Sequence, residues 1–237
     1  MDAIAKQRLN VIMLVDNSTS MRGERIKQVN NAIRDIKEHL IDMQYENVNV
    51  DFYLTIITYS TDAKLLNDKR MTKVDDFEFK PIVAGGWSNL HLAYASLKDL
   101  LNKESKGGIM PDFGGVAPIL LLLTDGHPTK WPLDKEMDEL RKLPWFKIAI
   151  RYGIAIELND KRTMDVLHDF VDLNGDVIDC YNSKLLERII KIIILTASKV
   201  KSTTTAIRAK KDSIRSIYSD VSQQVQAALN EVNDWEW

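Results

Sequence analysis

Cysteine is almost absent from this sequence, and long apolar runs are missing. A single cysteine, Cys180, cannot form an internal disulfide or a thiolate zinc cluster, and it suits a reducing cytoplasm. The apolar runs at 119–123 and 192–195 are far shorter than the roughly 20 residues that a membrane span needs. The run at 11–15 is too short for the core of an export signal. We therefore expect a soluble, cytoplasmic protein without a membrane partner.

An excess of one charge is also missing, as are the motifs of several enzyme classes. The 32 basic and 34 acidic residues leave a formal net charge of -2, which gives no field to attract nucleic acid. The sequence lacks Gly-x-x-x-x-Gly-Lys, Gly-x-Gly-x-x-Gly and Gly-x-Ser-x-Gly, which argues against a P-loop, a dinucleotide fold and a serine hydrolase. The four histidines are scattered and lack the spacing of zinc ligands.

Strand patterns alternate with helix patterns along most of the chain. This alternation predicts an α/β fold with an open, mostly parallel, doubly wound sheet and helices on both of its faces. The unalternating apolar strands at 11–15 and 118–124 fit the buried centre of that sheet. The predicted elements are strands at 11–15, 48–58, 118–124, 147–156 and 177–179, helices at 24–42, 89–103, 133–143, 161–171 and 183–199, and a short edge strand or hairpin within 60–80.

The character of the chain changes after the last apolar helix. We therefore assign residues 1–200 to one domain and residues 201–237 to a C-terminal tail. The tail is either a frayed terminus or an amphipathic helix, whose apolar stripe would contain Ile214, Ile217, Val221, Val225 and Leu229. Four hydroxyl residues beside basic side chains are candidate phosphorylation sites, with a flexible linker as the alternative: Ser202, Thr203, Thr204 and Thr205.

Three polar clusters follow predicted strands or begin predicted helices. They are the Asp16 to Ser20 loop, the pair Ser88 and Asn89, and the segment Thr124 to Gly126. The loops at the carboxyl ends of the strands converge in an open α/β sheet, so these clusters can form one site. Hydroxyl and carboxylate oxygens suit Mg2+, with Mn2+ or Ca2+ as alternatives. A metal with few carboxylate ligands would remain electrophilic toward an outside acid.

These residues resemble the metal-ion-dependent adhesion site of von Willebrand factor A domains, written Asp-x-Ser-x-Ser, then Thr, then Asp. Asp16, Ser18 and Ser20 match the first element, and Asp125 matches the last. Ser88 replaces the family's threonine, and an inserted Trp87 precedes it. The resemblance implies that the three serines ligate the metal, while the two aspartates act mainly through water and hydrogen bonds. A partner's Asp or Glu would fill the remaining position.

A nearer likeness is to bacterial tellurite-resistance TerY-type proteins, and it covers about residues 9 to 200. It rests on the segments Asp16–Met21, Gly23–Ile26, Val29–Asn31, Ile56–Tyr59 and Thr124–Thr129. That family is associated with a protein kinase and a metal-dependent Ser/Thr phosphatase of the PP2C type. The likeness implies an intracellular adaptor in a phosphorylation-based stress-response or defence system.

The sequence therefore favours a binding protein over an enzyme. Trp87, Asn89 and His127 are the predicted rim that contacts the partner around the metal. One alternative is a Mg2+-dependent phosphohydrolase with Asp16 as nucleophile, but that chemistry needs a second aspartate where Ser18 stands. Another alternative is a metal-independent scaffold and kinase substrate that acts through its tail.

Overall fold

One mixed sheet of seven strands organises the part of the chain that the computed structural model describes, which is residues 6–46, 50–157, 161–171, 177–198 and 207–233. The strands are β1 (Gln7–Asp16), β2 (Val50–Tyr59), β3 (Ala63–Leu65), β4 (Thr72–Lys73), β5 (Ile119–Thr124), β6 (Ile150–Ile156) and β7 (Val177–Cys180). Their order across the sheet is β3-β2-β1-β5-β6-β7, and β4 pairs with β2.

The centre of the sheet is parallel and buried on both faces. β1 pairs in parallel with β2 on one side and with β5 on the other, and every residue of β5 is buried. This explains the continuous apolar runs, since neither face of a central strand meets water. β3 and β4 are short antiparallel strands that each pair with β2, which confirms the short edge strand or hairpin predicted within 60–80.

Helices cover both faces, as the alternating pattern predicted. They are α1 (Glu24–Glu46), α2 (Leu90–Leu100), α3 (Asp134–Lys142), α4 (Pro144–Ile148), α5 (Lys161–Phe170), α6 (Ser183–Ser198) and α7 (Ile207–Asn233). Residues of α1, α6 and α7 form one apolar core with the sheet, and residues of α2 to α5 form the other. Successive β1 side chains join opposite cores: Val11 and Met13 face the first, whereas Ile12 and Leu14 face the second.

The predicted strand at 147–156 begins too early. Residues 144–148 form the short helix α4, and β6 starts at Ile150. Pro144 explains the difference, because proline is tolerated in the first turn of a helix and its fixed φ favours that geometry. The apolar side chains of Trp145 and Phe146 are buried by a helix rather than by a strand.

The amphipathic helix predicted in the tail is present as α7. Ile217, Val221 and Val225 are buried in the first apolar core, and Leu229 packs against that core. The candidate phosphorylation sites Ser202, Thr203, Thr204 and Thr205 lie outside the described residues. Among the described residues, no helix combines the length and apolar character that crossing a membrane requires.

Candidate metal centre

The three predicted polar clusters meet at one edge of the sheet. Asp16 is the last residue of β1 and Thr124 is the last residue of β5. These strands are parallel neighbours, with Val15 opposite Leu123, so both end at the same edge. Asp125 follows directly, and Ser88 reaches the edge from the loop before α2.

The Asp16 carboxylate is the centre of the cluster and is fully buried. Its Oδ1 accepts a hydrogen bond from the Ser18 backbone N–H at 2.8 Å. Its Oδ2 accepts from the hydroxyls of Ser88 at 3.0 Å and Thr124 at 2.8 Å. Burial raises the pKa of this carboxyl, and the Ser18 backbone N–H partly opposes that shift. Asp16 therefore fixes loops from all three segments.

A chain of hydroxyls continues from Ser18 to Asp125. The Oγ atoms of Ser18 and Ser20 lie 3.1 Å apart, and the Ser20 hydroxyl donates to Asp125 Oδ1 at 2.8 Å. Two ligands on neighbouring corners of an Mg2+ octahedron, with bonds of about 2.1 Å, are about 3.0 Å apart. The spacing of these two serine oxygens fits that edge.

The unusual loop Gly85–Asn89 still brings Ser88 to the cluster. Gly86 has a φ of 90°, and a side chain there would collide with the Thr61 hydroxyl. The Gly86 carbonyl accepts hydrogen bonds from both the Thr19 N–H and the Thr19 hydroxyl, each at 3.0 Å. Ser88 exchanges two further bonds with Thr129. The inserted Trp87 points outward from this anchored loop, since it is 67% exposed.

The predicted rim residues have different surroundings. Trp87 is exposed, and His127 is half-buried with its ring edge-on to Trp131 at 5.3 Å between centroids. The His127 Nδ1 also lies 2.9 Å from the Pro128 carbonyl. The Asn89 amide donates to the Thr61 carbonyl at 3.0 Å, so it holds the loop together.

Sequence reasoning missed a charged group behind the cluster. Arg25 Nη1 lies 2.7 Å from Asp125 Oδ2, and Arg25 Nε lies 3.1 Å from Glu157 Oε2. Glu157 directly follows β6, the parallel neighbour of β5, so its position at this edge was available from the strand order. Nothing in the local pattern around Arg25 distinguished it from the other exposed charges of a helix.

The chemistry of the cluster fits a hard divalent cation. Its atoms are the hydroxyls of Ser18, Ser20 and Ser88 and the carboxylates of Asp16 and Asp125. Within the described part of the chain, no three His, Cys, Asp or Glu side chains group as metal ligands. These residues therefore provide an oxygen ligand set that is rich in hydroxyls, and not a soft or strongly anionic one.

Curated relatives are similar in sequence to part of this chain. The inter-alpha-trypsin inhibitor heavy chain H1 of Sus scrofa is 28% identical over 174 residues, which are 68% of this chain and 18% of the relative. The heavy chain H4 of Bos taurus is 28% identical over 134 residues, 54% of this chain and 14% of the relative. The chain thus spans less than a fifth of the length of these two relatives.

Solved structures and a family model identify the fold. A von Willebrand factor type A protein from Catenulispora acidiphila superposes with a TM-score of 0.58 at 13% identity, over 81% of this chain and 43% of that one. Proximal thread matrix protein 1 from the mussel byssus gives 0.57 at 18% identity, over 81% and 48%. These likenesses establish the fold alone. The model of the von Willebrand factor type A domain matches residues 10–170, more than half of the sequence, and the chain belongs to that family.

Proposed function

We propose that this chain is a protein-binding adaptor that uses Mg2+ to engage a carboxylate of its partner. The observation that carries the proposal is the convergence of three serine hydroxyls and only two carboxylates at one sheet edge. A domain of this family is expected to bind proteins rather than to catalyse a reaction. Mn2+ or Ca2+ could occupy the same oxygen set.

In this proposal the serines hold the metal and the aspartates orient the serines. Ser18, Ser20 and Ser88 would supply hydroxyl oxygens. Asp16 and Asp125 accept hydrogen bonds from the Ser88 and Ser20 hydroxyls, which directs hydroxyl lone pairs away from the carboxylates. When bound, the metal would supply an electrophilic position for a carboxylate. Few anionic ligands leave most of its charge available to that acid.

The surroundings of the cluster support a protein as partner. Trp87 and Val83 are 67% and 80% exposed near the loop that carries Ser88. Trp131 is 41% exposed and contacts His127, which follows Asp125 by two positions. Exposed indoles beside a polar centre are typical of contact surfaces. We propose Trp87 and His127 as rim contacts, and Asn89 as the residue that keeps the rim in shape.

The geometry argues against Asp16 as a nucleophile. Both of its oxygens accept hydrogen bonds, and the side chain is fully buried. A nucleophilic carboxylate must present an oxygen to its substrate. Asp16 would have to break contacts to Ser88 or Thr124 first, and those contacts hold two loops together.

On the basis of the resemblance to TerY-type proteins, we also propose the cellular system to which the partner belongs. The partner would belong to a bacterial system of stress response, such as tellurite resistance, or of defence, and it would be a protein kinase or a PP2C-type phosphatase. The setting would be the cytoplasm. Phosphopeptide mapping of Ser202 to Thr205 after coexpression with a cognate kinase tests this extension.

The decisive experiment compares partner capture with and without metal. Tagged full-length protein is incubated with native lysate in Mg2+ and in EDTA, alongside Ser18→Ala and the exposed control Ser216→Ala on α7. We expect a partner that the wild type and Ser216→Ala retain only in Mg2+, and that Ser18→Ala loses. Capture that is indifferent to both EDTA and Ser18→Ala would refute metal-dependent adhesion.

A further inference from the structure

Arg25 links the metal cluster to a carboxylate behind it. Its Nη1 lies 2.7 Å from Asp125 Oδ2 and donates to the Ser20 carbonyl at 3.2 Å. Its Nε lies 3.1 Å from Glu157 Oε2. The Asp125 side chain is fully buried, and the side chains of Arg25 and Glu157 are partly buried, at 21% and 33% exposed. A partly buried pair of this kind interacts more strongly than an exposed one.

Glu157 is itself held in place. Its Oε1 accepts from the Gln28 amide at 2.8 Å, and its backbone N–H donates to the Cys180 carbonyl at 2.9 Å. Its φ of 53° is unusual for a residue other than glycine, and the two contacts maintain it. Arg25 and Gln28 lie three positions apart on α1 and therefore share one helix face. Arg25 is thus fixed from two sides.

These contacts use both oxygens of Asp125. Oδ1 accepts from the Ser20 hydroxyl at 2.8 Å, and Oδ2 accepts from Arg25 at 2.7 Å. The bond to Oδ2 comes from a charged donor, so it draws negative charge on Asp125 toward the guanidinium and makes this carboxylate a weaker direct ligand for a metal. The guanidinium also adds one positive charge beside a cluster that contains only two carboxylates.

We propose that Arg25, anchored by Glu157, is a specificity-determining residue: it keeps Asp125 from ligating the metal directly, so that an acid of the partner completes the site. This inference rests on the proposed metal-dependent adhesion. Arg25 lowers the affinity for the metal itself and raises the affinity of the loaded site for an anion. The two effects have opposite signs because the positive charge of Arg25 repels the metal cation and attracts the anion of the partner.

The opposite signs separate this role from a structural one. Arg25→Gln removes the charge and frees Oδ2, so we expect Mg2+ to bind about tenfold more tightly, the size of effect a nearby unit charge produces in a solvated site. Ca2+ accepts more oxygen ligands than Mg2+, so its affinity should rise more. Binding of an oligoglutamate peptide to the Mg2+-saturated protein should weaken about tenfold. A merely structural defect would weaken every one of these affinities.

Glu157→Gln provides the complementary change. It removes a negative charge and leaves Arg25 paired with Asp125, so Mg2+ affinity should fall. Arg25→Lys retains the charge and should restore the wild-type order of affinities in part. Arg34→Gln is the matched control, since it removes an exposed arginine from the same helix.

The measurements are calorimetric titration of the full chain with Mg2+ and Ca2+, surface binding to immobilised oligoglutamate in saturating Mg2+, and thermal unfolding to verify folding of each variant. Wild-type protein that binds no divalent metal would refute the proposed function and this inference with it. Wild-type binding together with unchanged or weaker Mg2+ affinity in Arg25→Gln would overturn the role of Arg25 alone. If Arg25→Gln does not fold, a rise in Mg2+ affinity in Glu157→Gln would overturn it, and a fall would support it.

Discussion

The hydroxyl of Tyr218 on α7 completes the hydrogen bonding of the sheet. Ile150 donates its backbone N–H to Pro118 on the β5 side, so Arg151, the next residue of β6, faces the opposite side. β7 pairs with β6 only from Gly153 onward. The Arg151 N–H therefore lies ahead of the first residue of β7, and it donates to the Tyr218 hydroxyl at 2.8 Å.

Tyr218→Phe removes this acceptor and almost no volume. The site is buried: Tyr218 is 2% exposed, and its ring lies 5.3 Å from that of Tyr152. A buried backbone donor that loses its partner costs about 1–3 kcal/mol. For a chain of this size, each kcal/mol lowers the melting temperature by roughly 2–4 °C. We expect Tyr218→Phe to lower the free energy of unfolding by about 1–3 kcal/mol.

Urea unfolding followed by circular dichroism measures this loss. Ser219→Ala is the control, because Ser219 is the exposed neighbour on the same helix and its replacement should change stability by less than about 0.5 kcal/mol. If Tyr218→Phe were as stable as Ser219→Ala, α7 would not be docked through this bond. The argument that the Tyr218 hydroxyl completes the hydrogen bonding of the sheet would then be refuted.

Three further outcomes follow from the cluster and its surroundings. Asp16→Asn should abolish the Mg2+-induced rise in melting temperature and also lower the stability of the metal-free protein, because an amide nitrogen cannot accept the hydrogen bonds that the Ser88 and Thr124 hydroxyls donate to Oδ2; a retained Mg2+ shift would refute its role. Gly86→Ala should lower stability by about 1–3 kcal/mol in urea titrations, since φ is 90° and the new Cβ meets Thr61, and unaltered stability would contradict that geometry. The Cys180 thiol should resist iodoacetamide in native protein at pH 8 and react in urea, because burial raises its pKa to about 12; rapid native labelling would show that this face opens.

The topology was predictable because it depends on the hydrophobic patterns of whole strands and helices, and these do not depend on any single residue. A central parallel strand is apolar on both faces, and the sequences of β1 and β5 contain continuous apolar runs that indicate such strands. The boundary of β6 was not predictable from hydrophobicity alone, since Trp145 and Phe146 are as apolar as a strand. Pro144 carried the missing signal, and it favours the start of a helix.

The positions of the cluster residues followed from topology, whereas their charge balance did not. Asp16 and Asp125 converge because the loops at the carboxyl ends of parallel strands share one edge, and Ser88 joins them from the loop before α2. The pairing of Arg25 with Asp125 joins residues 100 positions apart. It depends on the direction of a side chain on α1, and no spacing along the sequence encodes that direction.

The same geometry bears on where the domain ends. Arg151 lies at the start of β6 and Glu157 directly follows its end, and a strand of that length spans about 20 Å. Tyr218 contacts Arg151, while Glu231 pairs with Arg188 at 2.6 Å near the start of α6, which follows the end of β7. The 13 residues from Tyr218 to Glu231 rise about 20 Å in a helix, which matches the strand. Because α7 bonds to β6 through Tyr218, pairs with α6 through Glu231 and buries apolar side chains in the first core, a boundary at residue 200 would remove an element that stabilises the fold, and we propose that the folded unit includes α7.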